Sequence, residues 1–527
     1  MVPRILYRKF LVMATYLLVA LPNPAVAGES GWVELRPGMT HAYDLQVEEE
    51  GGLTTVRLRI HGFFRGSLAS GHSRFESVSV PGADSLRENG RPELPVFGVS
   101  LLLAADAEIV SVEREAVTLE GLVPAPHMSR PNRCAGGHSA RLTCDTSLYN
   151  GAGAYPELAA EFVQRGRLRG QQASVLELHP FRYFPEQRRL EVALDLRVTL
   201  SSPLLRKPIA RLQSSSFEML YRSGFHQLLG PNRDELGPEL ILLVVHDDLL
   251  GSVDEFVAWK EAKGYAVVVM PLSEAGEDHV ELKATLQDAY DNWPLPPTYV
   301  LLLGDGNGAG KVPFVPSPYG CASDFLFTTL DGDDLFSDVL VGRVSAHTVE
   351  EATEQLGKAV WYERDLLEEG DGGWLERSIC ISSSEGSGAS NDDVRSDIIC
   401  DLQEEYGFSP SDKLYHSNGQ DKATIISAKI EEGRGWLTYL GHGSGHSWST
   451  TEPPYGVLEV AALQNDFKLP FVVDVSCSNG EFDSNAGDCF AEAWMKTGGG
   501  LVPAPRLPST RPPWSLPGMN LRRWRWA

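Results

Sequence analysis

The sequence predicts an α/β fold with a mainly parallel sheet and helices on both faces, preceded by a β-rich N-terminal domain. Short alternating apolar runs fill residues 28–202, and β-branched runs alternate with helical patterns over residues 238–500. A length of 527 residues exceeds what one core normally serves. Alternating strands and helices with short connections are typical of parallel sheets covered on both faces.

The first residues have the features of a secretory signal. Basic residues precede the apolar run Phe10–Leu21, and Ala25-Val26-Ala27 offers the small side chains of a cleavage site. The apolar run is too short to cross a bilayer comfortably. We therefore expect residues 1–27 to be removed and the protein to be secreted or extracellular, free or surface-associated. An uncleaved anchor is the alternative.

Composition restricts the partners. The formal net charge of -25 argues against nucleic acid or an anionic membrane as the main partner, and we expect no stable membrane insertion after signal removal. Seven cysteines are an odd number, so at least one is free or pairs between chains. Cys134 and Cys144 are the expected bridge. Alternatively, all the cysteines are small buried hydrophobes.

Residues 28–202 read as the β-rich domain. Alternating apolar runs such as Thr55–Ile60, Leu101–Val110 and Leu190–Leu200 lie between Gly, Pro and polar clusters. A less patterned linker covers residues 203–237. Its exposed basic sites are candidates for cleavage in a secreted protein.

Residues 238–500 form the second predicted domain. Ser252 and Glu255 predict a capping box for a helix that ends at Gly264. Helical patterns also cover residues 279–290, 348–364, 391–405, 421–432 and 487–496. The predicted strands are Ile241–Val245, Ala266–Met270, Tyr299–Leu303, Ile379–Ile381, Trp436–Leu440 and Phe471–Val473.

The last stretch, residues 501–527, differs from the rest. It is Pro-rich and carries five arginines and no acidic residue. It is either a basic tail or the result of a lost reading frame, and we favour the second interpretation.

Two reactive side chains follow predicted strands near residue 440 and residue 475. His442 stands between glycines after the first strand, and Cys477 opens a Gly-containing turn after the second. Ligands and chemistry gather beyond the carboxyl ends of parallel strands, so neighbouring strands would bring thiol and imidazole together. An imidazole can take the proton of a thiol nucleophile and return it to a leaving amine. A buried cysteine and an ordinary loop histidine are the structural alternatives.

Other motifs give weaker signals. His446 and His442 have metal-pair spacing, but the intervening Glu of a zinc peptidase motif is missing, so zinc is not favoured. Cys489 lies in a helical pattern and is expected in the core or a disulfide. The Gly-rich residues 304–311 fail the Walker pattern. The turn Asp331–Asp334 has carboxylates that suit calcium but lacks the order of an EF-hand, and an exposed acidic turn is the alternative.

These motifs resemble those of the gingipain-like cysteine peptidases, which share a caspase-like α/β fold. The resemblance rests on Gly441-His442-Gly443-Ser444 with Trp448, and on the run from Asp474 to Phe482. Further similarity extends over residues 239–500, about half of the chain. Residues in the N-terminal half, including Leu94-Pro95-Val96, are more weakly similar to the prodomain of the family.

The resemblance implies roles for individual residues. Cys477 would be the nucleophile and His442 the general acid/base, with the N–H groups of Gly443 and Cys477 as oxyanion donors. Asp338 falls where family members carry an acidic residue that orients the histidine. Family members also bind calcium, which favours a structural ion held by Asp331, Asp333 and Asp334. No cofactor is required for the chemistry.

The main hypothesis is therefore a secreted cysteine endopeptidase that hydrolyses proteins or peptides through an acyl-thioenzyme, made as a precursor. Two alternatives are an inactive secreted binding or structural protein of the same fold, and a metal hydrolase that uses His442 and His446. The acidic pocket residue of Arg- and Lys-specific members is not located in the sequence, so the preferred peptide stays open.

Overall fold

The computed structural model describes residues 31–39, 41–70, 73–127, 144–204, 212, 214–225, 238–308, 310–316, 322–366, 372–385, 391–466, 468–484 and 487–496. The predicted signal, most of the predicted linker and the arginine-rich tail lie outside these residues. No helix in the described ranges is long and apolar enough to span a bilayer.

The N-terminal part is built from antiparallel strands in three sheets. Its strands are β1 Gly31–Glu34, β2 Tyr43–Glu50, β3 Leu53–Ile60, β4 Gly62–Ser70, β5 Ser73–Ser79, β6 Asp84–Ser85, β7 Pro95–Leu102, β8 Ile109–Glu120, β9 Ala160–Leu168, β10 Gln171–Leu178, β11 Phe181–Phe184 and β12 Arg189–Leu200, with one short helix, α1 Thr146–Tyr149. The sheets have the orders β1-β4-β5, β6-β7-β10-β9 and β11-β12-β3-β2, and β8 pairs with β12.

Strict alternation places one face of these strands in the core. In β3 the side chains of Val56, Leu58 and Ile60 are fully buried, whereas the intervening residues are partly exposed. A period of two is what a strand with one buried face requires. The predicted β-rich character is therefore confirmed within the described part of the chain.

The first parallel sheet follows the helix α2 Ser215–Gly224. It has the order β14-β13-β15-β18 and consists of β13 Leu240–Val245, β14 Ala266–Pro271, β15 Pro297–Leu303 and β18 Leu340–Val344. Its other elements are α3 Asp254–Ala262, α4 Leu272–Ala275, α5 His279–Asn292, α6 Val349–Arg364, and the ribbon β16 Val315–Pro316 with β17 Ala322–Ser323. Leu242 packs in one apolar cluster with α5, and Leu243 packs in another with α3 and α6, so helices cover both faces.

The second parallel sheet has the order β20-β19-β21-β24. Its strands are β19 Ser378–Ser382, β20 Asp412–Tyr415, β21 Trp436–Leu440 and β24 Phe471–Val475. Its helices are α7 Asp392–Glu405, α8 Ala423–Glu431, α9 Val457–Ala461 and α10 Phe490–Lys496, with a small ribbon of β22 Ser447–Trp448 and β23 Tyr455–Gly456. Ile379 and Ile381 pack towards α8 and α10, whereas Cys380 packs towards α7.

The predicted α/β class is confirmed, and the parallel strands are divided between two sheets. The six predicted strands are present, but β18 and β20 were not predicted as strands. Gly342 and Arg343 interrupt the apolar pattern of β18, and β20 is only four residues long, so neither strand gives a clear pattern in the sequence. The predicted capping box is wrong, because Ser252 ends a 3-10 turn and its hydroxyl donates to the Leu249 carbonyl.

The cysteines differ in part from expectation. Cys144 is free, and its predicted partner Cys134 lies outside the described residues. A disulfide joins Cys380 in β19 to Cys400 in α7. Cys477 and Cys489 form no disulfide within the described part of the chain.

A buried arginine joins the N-terminal part to the first parallel sheet. Arg169, in the turn between β9 and β10, is 1% exposed. Its guanidinium donates to the carbonyls of Leu212, Pro297 and Asp338 at 3.0, 2.8 and 2.8 Å, and it lies over the ring of Phe217. A buried guanidinium needs such a full set of acceptors, so this turn is a firm contact between the two parts.

Candidate active site

The two predicted catalytic residues follow neighbouring strands. β21 and β24 are parallel partners, with Leu440 opposite Val475 at their carboxyl ends. His442 and Cys477 each stand two positions beyond these paired residues. The equal register brings both loops to the same edge of the sheet, as the sequence predicts.

Close backbone contact joins the loops. A Cβ atom at Gly443 would lie 2.2 Å from the Cys477 carbonyl oxygen, so only glycine allows this approach. The Gly441 N–H donates to the Val475 carbonyl at 3.4 Å. Within the described part of the chain, the Gly443 N–H has no protein acceptor. It is thus available to an oxygen of a bound ligand.

A partly buried carboxylate anchors the cysteine loop. Asp474, in β24, accepts hydrogen bonds from the Ser476 hydroxyl at 2.5 Å and the Asn479 amide at 2.8 Å. Burial raises the pKa of Asp474, while these two hydrogen bonds act in the opposite direction. The Asn479 side-chain oxygen also accepts from the Gly445 N–H at 3.1 Å, so Asn479 ties the cysteine loop to the histidine loop.

The chain turns sharply at the cysteine. Ser478 has a φ of 63°, in the left-handed region that a non-glycine residue rarely adopts, and the Asn479 N–H donates to the Cys477 carbonyl at 2.8 Å. Such backbone costs on the order of 1–3 kcal/mol and persists only where the surroundings impose it. The anchoring of Asn479 by Asp474 supplies that constraint. Cys477 is therefore presented at a partly exposed turn.

Glu385 is the carboxylate that contacts the histidine. Its Oε2 lies 2.7 Å from His442 Nε2, and both side chains are partly exposed. Glu385 follows β19, which pairs with β21 so that Ser382 faces Leu440. Glu385 is not among the residues predicted from the sequence, although the rule that predicted the other two applies to it. Glu385 comes three positions after the end of β19, at the same edge of the sheet.

The predicted orienting role of Asp338 is contradicted by its placement. Asp338 precedes β18, at the amino end of the first sheet, and is fully buried. Its carboxylate accepts from the backbone N–H groups of Arg169, Leu330 and Asp331 at 2.6, 2.7 and 2.7 Å. Burial raises the pKa of Asp338 to about 7 against these hydrogen bonds. Its role is to hold the Arg169 turn.

The first sheet supports the cysteine loop from the side. Gly306 lies against Phe482, where a Cβ atom would come within 2.6 Å of the ring, and the Asn307 amide donates to the Ser484 carbonyl at 2.7 Å. The Phe482 ring also lies under the guanidinium of Arg343 at 4.8 Å. The Gly-rich loop over residues 304–311 thus meets the site as a structural support.

The weaker candidates do not join the site. Burial raises the pKa of Cys489, which is 1% exposed, so its thiol is a poor nucleophile. His442 and His446 do not belong to any group of three or more converging ligand atoms among the described residues. The zinc alternative thus gains no ligand set in this part of the chain.

The acidic turn predicted to hold calcium is engaged by the N-terminal part. Asp334 accepts from the backbone N–H groups of Arg167 and Phe336, and Asp331 pairs with the Arg167 guanidinium at 3.2 Å. Calcium takes six to eight oxygen ligands. These contacts engage carboxylate oxygens of Asp331 and Asp334, so a calcium ion at this turn would need oxygen ligands beyond the three predicted side chains.

Comparisons with known proteins extend over both parts of the chain. Residues 234–521 match the model of Peptidase family C25, and residues 44–217 match Propeptide_C25. Gingipain R2 of Porphyromonas gingivalis is 28% identical over 434 residues, which are 78% of this chain and 56% of that protein. Lys-gingipain of the same organism is 23% identical over 453 residues, 80% of this chain and 25% of that protein.

A solved structure is also similar. The Arg-specific cysteine proteinase gingipain R has 27% identity and a TM-score of 0.45, over 51% of this chain and 61% of the other. The chain spans about half, or less, of the length of the curated relatives that it matches. The family match covers more than half of the 527 residues, and the chain therefore belongs to peptidase family C25.

Proposed function

We propose that the chain is a cysteine endopeptidase with Cys477 as nucleophile and His442 as general acid/base. The observation that carries this proposal is the equal register of β21 and β24, which gives both residues the same sheet edge. The partial exposure of Cys477 and the close approach of Gly443 support it. Membership of the peptidase family is consistent with this chemistry.

The reaction follows from the functional groups. The Cys477 thiolate attacks the peptide carbonyl carbon, and the oxyanion accepts hydrogen bonds from the N–H groups of Gly443 and Cys477. His442 takes the thiol proton and gives it to the leaving amine, which leaves an acyl-thioenzyme. A water molecule then attacks the thioester while His442 acts as base, and the thiol is restored. Glu385 orients the imidazole and offsets the charge of its protonated form.

The N-terminal part would act as a pro-segment. Its match to the family propeptide and the buried Arg169 contact support a precursor whose β-rich part stays docked until cleavage. Secretion is proposed from the signal-like residues 1–27. Protein or peptide substrates follow from the proposed activity, and no nucleic-acid partner is expected. The calcium ion at Asp331, Asp333 and Asp334 stays a prediction.

Kinetics of matched variants test the proposal. In processed protein, Cys477→Ala and His442→Ala should each abolish peptide hydrolysis, whereas Cys489→Ala, which removes another thiol of this region, should retain it if folded. Activity should survive chelation of metals and be lost on thiol alkylation. Turnover that persists in folded Cys477→Ala protein would contradict the proposal, and loss on chelation alone would favour a metal hydrolase.

A further inference from the structure

We propose that His41, Asp44 and His61 form a binding site for a divalent transition metal ion of the zinc type in the N-terminal β-rich part. One potential ligand atom from each of the three residues lies within 4.8 Å of the other two. His41 Nε2 is 2.9 Å from Asp44 Oδ1, and His61 Nε2 is 3.0 Å from Asp44 Oδ2. Three convergent donors on separate positions of the fold are the minimum of a protein zinc site.

The backbone fixes the position of the buried ligand. His61 links β3 to β4 and is 2% exposed. Its N–H donates to the Ala42 carbonyl, and its carbonyl accepts from the N–H groups of Leu35 and Arg36, all at 2.8 to 3.0 Å. These bonds hold the start of β2 and the end of β1 against the same residue. The site is therefore preorganised by three separate stretches of chain.

The ring of His61 contacts polar groups in one direction. Its Nδ1 is buried without a partner in the described part of the chain, so Nε2 makes the polar contact, towards Asp44. The His41 and His61 rings stand edge to face, with centroids 5.0 Å apart and an angle of 85°. This geometry aims both Nε2 atoms at the shared carboxylate, as chelation by two imidazoles requires.

The site is accessible to solvent and carries a negative charge. The side chains of His41 and Asp44 are 50% and 35% exposed, so an ion and its remaining water ligands can enter from solvent. The Asp44 carboxylate lies between the two imidazoles and supplies a negative charge that a divalent cation offsets. The nitrogen ligands favour zinc, copper or nickel over calcium, which prefers oxygen.

A second cluster of potential metal ligands already has a positively charged partner. Asp305, His347 and Asp488 also bring ligand atoms within 4.8 Å. However, the Lys496 ammonium lies 2.6 Å from Asp488 and 3.7 Å from Asp305 and already supplies the positive charge. A metal ion there would have to displace this lysine, so the proposal is confined to the His41 cluster.

Zinc titration of the full chain tests the proposal. All variants carry Cys477→Ala, which removes thiolate binding at the candidate active site. The exposed His41 is changed to Gln, and the matched control is His127→Gln, a partly exposed histidine that pairs only with Glu93 in the described part. Isothermal titration calorimetry should show that the control binds one equivalent of zinc. The affinity for this zinc ion should be about tenfold lower, or lower still, in the His41→Gln variant.

Two further measurements separate the metal site from a simple ion pair. Asp44→Asn should weaken the same equivalent, and zinc should raise the unfolding midpoint of the control but not of His41→Gln. Calcium should give no such shift. The proposal is overturned if folded His41→Gln and His127→Gln bind zinc with equal stoichiometry and affinity, or if the control binds none.

Discussion

Replacement of Glu385 by Gln should lower kcat/KM about five- to tenfold. The Glu385 carboxylate lies 2.7 Å from His442 Nε2. A hydrogen bond to a charged group contributes about 1.5–3 kcal/mol. The two side chains are 38% and 48% exposed, so solvent screening reduces this to about 1–1.5 kcal/mol. About 1.4 kcal/mol corresponds to a factor of ten in rate.

The assay is steady-state hydrolysis of a peptide substrate by processed protein. Glu405→Gln is the matched control, because Glu405 is exposed at the end of α7 and has no described side-chain contact. The free energy of unfolding should change by less than about 0.5 kcal/mol in both variants, since both sites are exposed. Equal kcat/KM for the Glu385→Gln and Glu405→Gln variants would show that the Glu385 carboxylate does not assist His442.

Three further predictions concern the anchoring residues. Arg169→Met should lower the free energy of unfolding of the precursor in urea by about 3–5 kcal/mol, because three buried carbonyls lose their hydrogen-bond donor. Arg167→Met, at a side chain 59% exposed, should cost less than about 1 kcal/mol, and equal losses would contradict this prediction. Asn479→Ala should destabilise the chain by about 2–4 kcal/mol and lower kcat, because the Asp474 carboxylate and the Gly445 N–H in the histidine loop each lose a hydrogen-bond partner. Wild-type kinetics in this variant would contradict the proposed link between the two loops. Burial raises the pKa of Asp338 from 3.8 to about 7, so the native chain binds a proton on Asp338 more tightly than the unfolded chain does. The stabilisation that comes from this proton should therefore fall as the pH rises from 3.8 to about 7. Asp338→Asn should flatten this dependence of the unfolding free energy, and an unchanged slope would contradict the assignment.

The sequence predicts the candidate pair His442 and Cys477 because each residue comes two positions after a strongly apolar run. Trp436–Leu440 is fully buried and Phe471–Val475 is partly buried, and both runs are apolar enough to be recognised as strands from the sequence alone. Glu385 was missed because its role depends on which strand lies beside β21. Local pattern does not contain that information, since β19 is a neighbour of β21 although two helices and β20 separate them in the chain.

Asp338 shows the opposite failure. Its place in a motif suggests a catalytic carboxylate, but strand order puts it at the amino end of β18. There it accepts three backbone N–H groups, one of them from Arg169, which lies 169 residues away. Such a long-range contact is set by the docking of two separately patterned regions. The split into two parallel sheets has the same origin, because apolar runs predict strands but not their partners.

Covalent labelling decides whether Cys477 is the nucleophile. Processed protein is incubated with a peptidyl chloromethyl ketone, digested and mapped by mass spectrometry, with His442→Ala protein as the matched comparison. We expect an adduct on the sulfur of Cys477 and none on Cys144 or Cys489, and we expect it to form much more slowly in the His442→Ala protein. Modification of another cysteine, or none at Cys477 in folded processed protein, would contradict it.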